Sequence, residues 1–211
     1  MSTKTLYMDV MFRPADGCGT RIPSIRNGKF TSDDEGVKNI PSFLLDPEAV
    51  LVATSDGDVE VFDDKEPTSL LSGLSAYFET APMTGNEPIV GWNLDQVVIP
   101  ALCSSAFRHG ICAFPKWMRK LDDKWSKTNG FSIERAFLQG WYPASHDEAT
   151  TKIANITLNE AVKLAGLKKL EDVEVELGDG LPPIAKELMA RVSALSSLYA
   201  RYQEILAWSP A

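Results

Sequence analysis

The sequence predicts a mixed α/β domain, and three observations carry that prediction. "TLYMDVMF", residues 5–12, alternates in polarity and is rich in strand formers. "AVLVATSDGDVEVFDD", residues 49–64, is two apolar runs around a turn dipeptide. Several stretches repeat their apolar residues every three or four positions, the spacing of a helix with one buried face. A hairpin sheet extended by crossover helices belongs to the α/β class.

Each element follows from local chemistry. The first strand gives way to a long loop region, residues 13–48, where Pro14, Gly17, Gly19, Pro23 and Gly28 break any period. Asp56-Gly57 readily takes positive φ and closes the hairpin. "EPTSLLSGLSAYFET" places Leu70, Leu71, Leu74, Tyr77 and Phe78 on one helical face. "EPIVGW" reads as a short buried strand. A helix is expected from Asn93 to His109, stopped by Gly110. In "ITLNEAVKLAGL", Thr157 and Glu160 have capping-box spacing and Gly166 suits the C-terminal cap. The final stretch carries Ile184, Leu188, Val192, Leu195, Tyr199, Tyr202 and Leu206 at spacings of three and four, a long amphipathic helix packed on a core. No repeat, low-complexity tract or Pro/Gly/Ser-rich linker divides the chain, so a single domain over 1–211 is expected.

Composition narrows the function classes. The chain has 211 residues, 44% of them hydrophobic, enough for a substantial core. Its net charge of -8 argues against a generally basic nucleic-acid binder, although a local patch can outweigh a total. Cys18, Cys103 and Cys112 form no paired framework, and the start has no secretory pattern; a cytoplasmic protein with reduced thiols is expected. No run of 18 apolar residues exists, so no membrane partner is expected. His109 and His146 stand at no metal-ligand spacing from a cysteine. No cofactor is expected.

Five stretches stand in a telling order. "YMDVMF" carries Asp9 and Met11. "NLDQVVIP" carries Asn93, Val97, Val98 and Pro100. "ALCSSAFRHGI" ends in a His-Gly, and "ITLNEAVKLAGL" follows. "AKELMARVSALSSLYARY" carries Glu187, Leu188 and Arg191. In this order, from about Leu6 to Tyr202, they resemble the DnaQ-like 3'-5' exonucleases of the ribonuclease H fold. The resemblance is nearest to the group related to the exonuclease domain of bacterial family-B DNA polymerases. It implies a mixed sheet flanked by helices and a long C-terminal helix. In that family the first strand bears Asp-x-Glu, and here Met11 stands at the Glu. The second motif is Asn, three residues, Phe-Asp, one residue, Pro, and here Val97 and Val98 replace Phe-Asp. The last motif is Tyr-Cys-x-x-Asp-Val, and here Glu187, Leu188 and Arg191 fall at its Tyr, Cys and Asp. The remnant positions are therefore Asp9, Met11, Asn93, Val98 and Arg191, with three of four carboxylates replaced.

Those enzymes work through two divalent cations roughly 4 Å apart, and hard cations need oxygen ligands. Met11 and Val98 cannot coordinate magnesium, and Arg191 would repel it. The resemblance therefore implies a protein without catalytic residues and without a bound metal. A relocated site from Asp9, Asp95 and Glu187 is the enzyme alternative, a divergent metal-dependent 3'-5' exonuclease. Against it, Glu187 and Arg191 are spaced as an i,i+4 ion pair, and Asp95 suits a helix N-terminus. Val97 and Val98 also read as plain core residues.

Two basic stretches complete the picture. Residues 106–127 hold Arg108, Lys116, Arg119, Lys120, Lys124 and Lys127 against Asp122 and Asp123, interleaved with Phe107, Phe114, Trp117 and Trp125. Cations that track phosphates beside rings that stack on bases are the ingredients of single-strand binding. The same composition also fits tryptophans packed inward behind a solvated lysine rim. Residues 13–30 add Arg13, Arg21, Arg26 and Lys29 in the long loop. The expected nucleic-acid contacts are Arg13, Arg21, Arg26, Arg108, Lys116, Trp117, Arg119, Lys120, Lys124 and Trp125. The function read from sequence is catalytically inactive binding of single-stranded nucleic acid, DNA by preference, as an accessory to replication or transcription. A polymerase or another protein is a compatible partner, as is a second copy docked on the C-terminal helix. A protein-protein interaction scaffold is the remaining alternative.

Overall fold

The computed structural model describes residues 4–15, 24–26, 29–31, 44–80, 88–111, 130–133, 157–170 and 182–207. Its centre is a five-stranded sheet built from β1 (Leu6–Pro14), β2 (Leu45–Thr54), β3 (Val59–Phe62), β4 (Ile89–Gly91) and β5 (Gly130–Ser132). The strand order is β3-β2-β1-β4-β5. β1 pairs antiparallel with β2, and β2 with β3, while β4 runs parallel to both β1 and β5. A separate two-stranded ribbon joins Ser24–Arg26 to Lys29–Thr31. Among the described residues four α-helices flank the sheet: α1 (Pro67–Thr80), α2 (Ile99–Arg108), α3 (Leu158–Leu164) and α4 (Pro183–Ala207). The mixed sheet, its helices and the long last helix give the ribonuclease H-like fold expected from the sequence.

Alternation along β1 divides the core in two. Leu6, Met8 and Val10 face α1 and α2, where they meet Leu70, Leu71, Leu74, Phe78, Leu94, Ile99 and Leu102. Tyr7 and Met11 face α3 and α4, packing with Val90, Trp92, Ile133, Leu158, Val162, Leu188, Val192 and Leu195. Successive strand residues point to opposite faces, so one strand serves both layers. β1 is therefore a fully sandwiched strand, and its first five residues are all buried.

The ends of elements behave as their residues dictate. Gly57 takes φ 98° between β2 and β3. Gly110 and Gly166 take φ 69° and 68° after α2 and α3, as left-handed caps. Thr157 and Glu160 form the complete capping box on α3.

The region 13–48 is not wholly loop. β1 continues through Pro14, β2 already begins at Leu45, and the ribbon lies between them. Pro47 lies opposite Phe12, beside a register shift between Met11 and Phe12. Pairing is broken at such a bulge, so a proline lacking its N–H is tolerated there. β5 carries no strand signal in the sequence, because "GFS" is too short and begins with a glycine.

Candidate functional site

Among the positions singled out by the exonuclease resemblance, the first is a charge in the wrong solvent. Asp9 sits at the middle of β1, 2% exposed, on the face covered by α4. An isolated carboxylate there would be strongly penalised. Arg191, one-third of the way along α4, answers it: Nε donates to Asp9 Oδ2 and Nη2 donates to Oδ1 at 3.4 Å. The two-pronged contact matches the planar guanidinium to the planar carboxylate. Burial works against the Arg191 charge, but the Asp9 charge and hydrogen bonds, with Glu187 behind them, hold its pKa above the ordinary value. The i,i+4 pairing expected between Glu187 and Arg191 therefore gives way. Arg191 bonds across to the sheet, and Glu187 acts on it through charge.

Met11 follows two residues along the same strand face, partly buried against the α3–α4 layer. Val98 goes elsewhere. It is 4% exposed and packs in the layer of α1 and α2, so its plain core reading holds. The turn that carries it is unusual. Asn93 adopts φ 49°, ψ 33°, a left-handed conformation that Asn tolerates better than most residues. A single π turn follows over Leu94–Val98, with the Val98 N–H bonding the Asn93 carbonyl at 3.1 Å. The expected helix start at Asn93 is thus a π turn, with α2 proper beginning at Ile99. Gly91 precedes it, because a Cβ there would lie 2.9 Å from the Met8 carbonyl oxygen. Such one-turn π bulges and left-handed non-glycine residues concentrate at functional sites.

These residues do not fit a pair of magnesium ions. Asp9 is held by a guanidinium, Met11 beside it is a thioether, and Val98 is on the other layer. Among the described residues no group of three or more His, Cys, Asp or Glu could hold a metal ion. The Asp95 side chain lies outside the described residues, so the relocated set reduces here to Asp9 and Glu187.

A second polar cluster escaped the sequence reading. Asp46, at the start of β2, is 2% exposed. Its Oδ1 accepts from Ser105 Oγ at 2.5 Å and from Arg108 Nη2 at 2.5 Å, and His109 Nε2 lies 3.3 Å away. Arg108 Nη2 also donates to the Leu45 carbonyl at 2.7 Å. Burial pushes the Asp46 pKa up, but the Ser105 hydroxyl, Arg108 and His109 together hold it below the usual value. Arg108, expected as a phosphate contact, is thus first a tie between the end of α2 and β2. Arg13 likewise spends a donor on the Lys65 carbonyl at 2.9 Å. Only the Asp-Pro at 46–47 marks this cluster in the sequence, and its partners lie some 60 residues on, beyond reach of any local pattern.

Phe107 stands beside this tie with 87% of its surface exposed, the most open large apolar side chain described. The rest of the expected interface is not in view. Arg21, Lys116, Trp117, Arg119, Lys120, Lys124 and Trp125 lie outside the described residues, and of Arg26 only the ribbon backbone is described. Tyr199 packs edge-on to Tyr7 at 6.3 Å, a core contact rather than a ligand cage.

The chain is a ribonuclease H-like α/β protein with a buried Asp9–Arg191 ion pair between β1 and α4. No family model and no curated protein matches the sequence. Among solved structures it is similar to the family B DNA polymerase from the hyperthermophilic archaeon Pyrobaculum calidifontis, with a TM-score of 0.52 and 16% identity. The match covers 98% of this chain and 25% of that one, so the chain spans about a quarter of the polymerase's length. At that identity the likeness is one of fold. No described helix is long and apolar enough to cross a membrane.

Proposed function

We propose that this protein is a noncatalytic relative of DNA-polymerase exonuclease domains that binds single-stranded nucleic acid, DNA by preference, as an accessory to replication or transcription. The matched quarter of the polymerase corresponds, in this reading, to its exonuclease domain. The observation that carries the reading is the Asp9–Arg191 pair: a fixed organic cation holds the carboxylate that the exonuclease resemblance puts at a metal-ligand position. A guanidinium neutralises the carboxylate but cannot deliver a hydroxide. Binding is what such a domain retains.

The binding half is supported by Phe107, an open ring at the end of α2 where the basic-aromatic stretch begins. Stacking on an exposed ring is worth roughly 1–3 kcal/mol per base. Phe107 also offers a clean test, because its removal opens no core. Phe107→Ala should keep the melting temperature and weaken binding of a labelled single-stranded oligonucleotide. Arg119→Ala with Lys120→Ala should weaken binding to all sequences alike and flatten its salt dependence. No salt-sensitive binding by the unaltered protein at low ionic strength would overturn the reading in favour of a protein scaffold.

A further inference from the structure

His109 closes α2 against a group that can only accept. Burial works against the Asp46 charge, but the Ser105 hydroxyl, Arg108 and His109 hold its pKa below the usual value, so the carboxylate is ionised near neutral pH. An ionised carboxylate has no hydrogen to donate. The ring nitrogen that faces it, Nε2 at 3.3 Å from Oδ1, therefore carries the hydrogen. In the neutral ring Nδ1 is then a bare acceptor. The His109 side chain is 29% exposed, so solvent reaches it. A proton added at Nδ1 makes that nitrogen a second donor and leaves the Nε2 bond to β2 in place. The charges beside the ring are Asp46 on β2 and Arg108 on α2 itself, which pair at 2.5 Å and cancel. Arg13 stands opposite Asp46 in the β1–β2 register and donates to the Lys65 carbonyl. The Asp46–Arg108–His109 group is therefore neutral with a neutral ring and carries one positive charge with a protonated one.

We infer that His109 is a proton-dependent phosphate contact: with Nδ1 protonated it donates to a backbone phosphate of the strand that stacks on Phe107, and with Nδ1 bare it cannot. The inference rests on the proposed binding of single-stranded nucleic acid and adds a contact residue and a regulating proton to it. A phosphodiester is the ligand because it is an anion that only accepts; its oxygens repel a bare Nδ1 and bond a protonated one. Placement agrees. Arg108 and His109 lie three and four residues after Ser105, and all three turn to Asp46 on β2. Phe107 falls on the other side of the last turn and is 87% exposed. Ring and imidazole thus flank the helix end, and a strand crossing it meets both. The His109 N–H bonds the Ser105 carbonyl at 3.0 Å, and Gly110 at φ 69° ends the helix there. Positive charge is favoured at that end by the helix dipole. An imidazole changes charge between about pH 5 and 8, so the contact is made on the acid side of neutrality.

Anisotropy titrations of a labelled oligothymidylate at about pH 5.5 and about pH 8, each over several salt concentrations, test it. Neither thymine nor a phosphodiester gains a proton in that range, so a difference belongs to the protein. The unaltered protein should show a log-log salt slope steeper by about 0.7 at the lower pH, one phosphate more. Carried from about 1 M to about 0.1 M salt, that slope amounts to about fivefold tighter binding. His109→Gln keeps a donor toward Asp46 but takes up no proton, and it should abolish the difference between the two pH values. His109→Arg carries a fixed charge and should abolish it too. His146→Gln, at the other of the two histidines, should keep it. A melt at each pH checks that the variants are folded. Binding by the unaltered protein that does not change with pH overturns the inference and leaves the proposed function standing. So does a pH difference that survives in folded His109→Gln or His109→Arg, or one that vanishes in folded His146→Gln. No binding at either pH removes the proposed function and this inference together.

Discussion

Asp9 is a charge placed where only a partner can keep it, and Arg191 is that partner. Breaking a buried pair from one side leaves the other charge uncompensated and costs about 3 kcal/mol. Arg191→Ala should therefore lower the unfolding free energy by about that amount in a urea titration. Replacing both members, Asp9→Leu with Arg191→Met, should recover most of the loss, because the apolar pair leaves nothing unpaired. A single variant as stable as the original would contradict the described burial. Asp46 makes the second residue-scale prediction. Its pKa is lowered in the folded state, so its contribution is present above the unfolded value of about 3.9 and is lost as pH falls through the lower folded value. Asp46→Asn should remove that acid-side component. Its melting temperature should fall below the original's near neutrality, and the gap should narrow as pH drops below about 4.

At the scale of elements, β4 and the turn after it set the sheet against α2. Gly91 lets the Leu94 side chain and the Met8 carbonyl approach together. Gly91→Ala should cost about 1–3 kcal/mol, through a clash with backbone that cannot move aside. The elements legible in the sequence were those whose signal is local. The Asp56-Gly57 hairpin, the Thr157–Glu160 cap and the three-four spacing along α4 needed only neighbours in the chain. The start of β2 at Leu45 did not show, because Asp46-Pro47 reads as a turn until Phe12 lies opposite it at a bulge. The π turn did not show either, because nothing in the composition of Leu94–Val98 separates a π turn from an α turn.

At the scale of the whole molecule, a site is an agreement between distant residues, and sequence reveals it only through a known pattern. Asp9 and Arg191 are 182 positions apart. Their juxtaposition was foreseeable only from the exonuclease resemblance, which placed both at ligand positions. Asp46 and its partners had no such pattern and were missed. The same motif puts Val98 at a ligand position, and packing in the layer of α1 and α2 claims it instead. The proposed function is binding without a metal and without cleavage. The most direct measurement is an anisotropy titration of a 3'-labelled single-stranded oligonucleotide, run in chelator and in magnesium, at several salt concentrations. Binding should depend on salt with a log-log slope of about -0.7 per phosphate contacted, be weaker to the duplex, have the same affinity with and without magnesium, and leave the label intact throughout. Loss of the label in magnesium, abolished by Asp9→Ala, would contradict it and identify a working exonuclease.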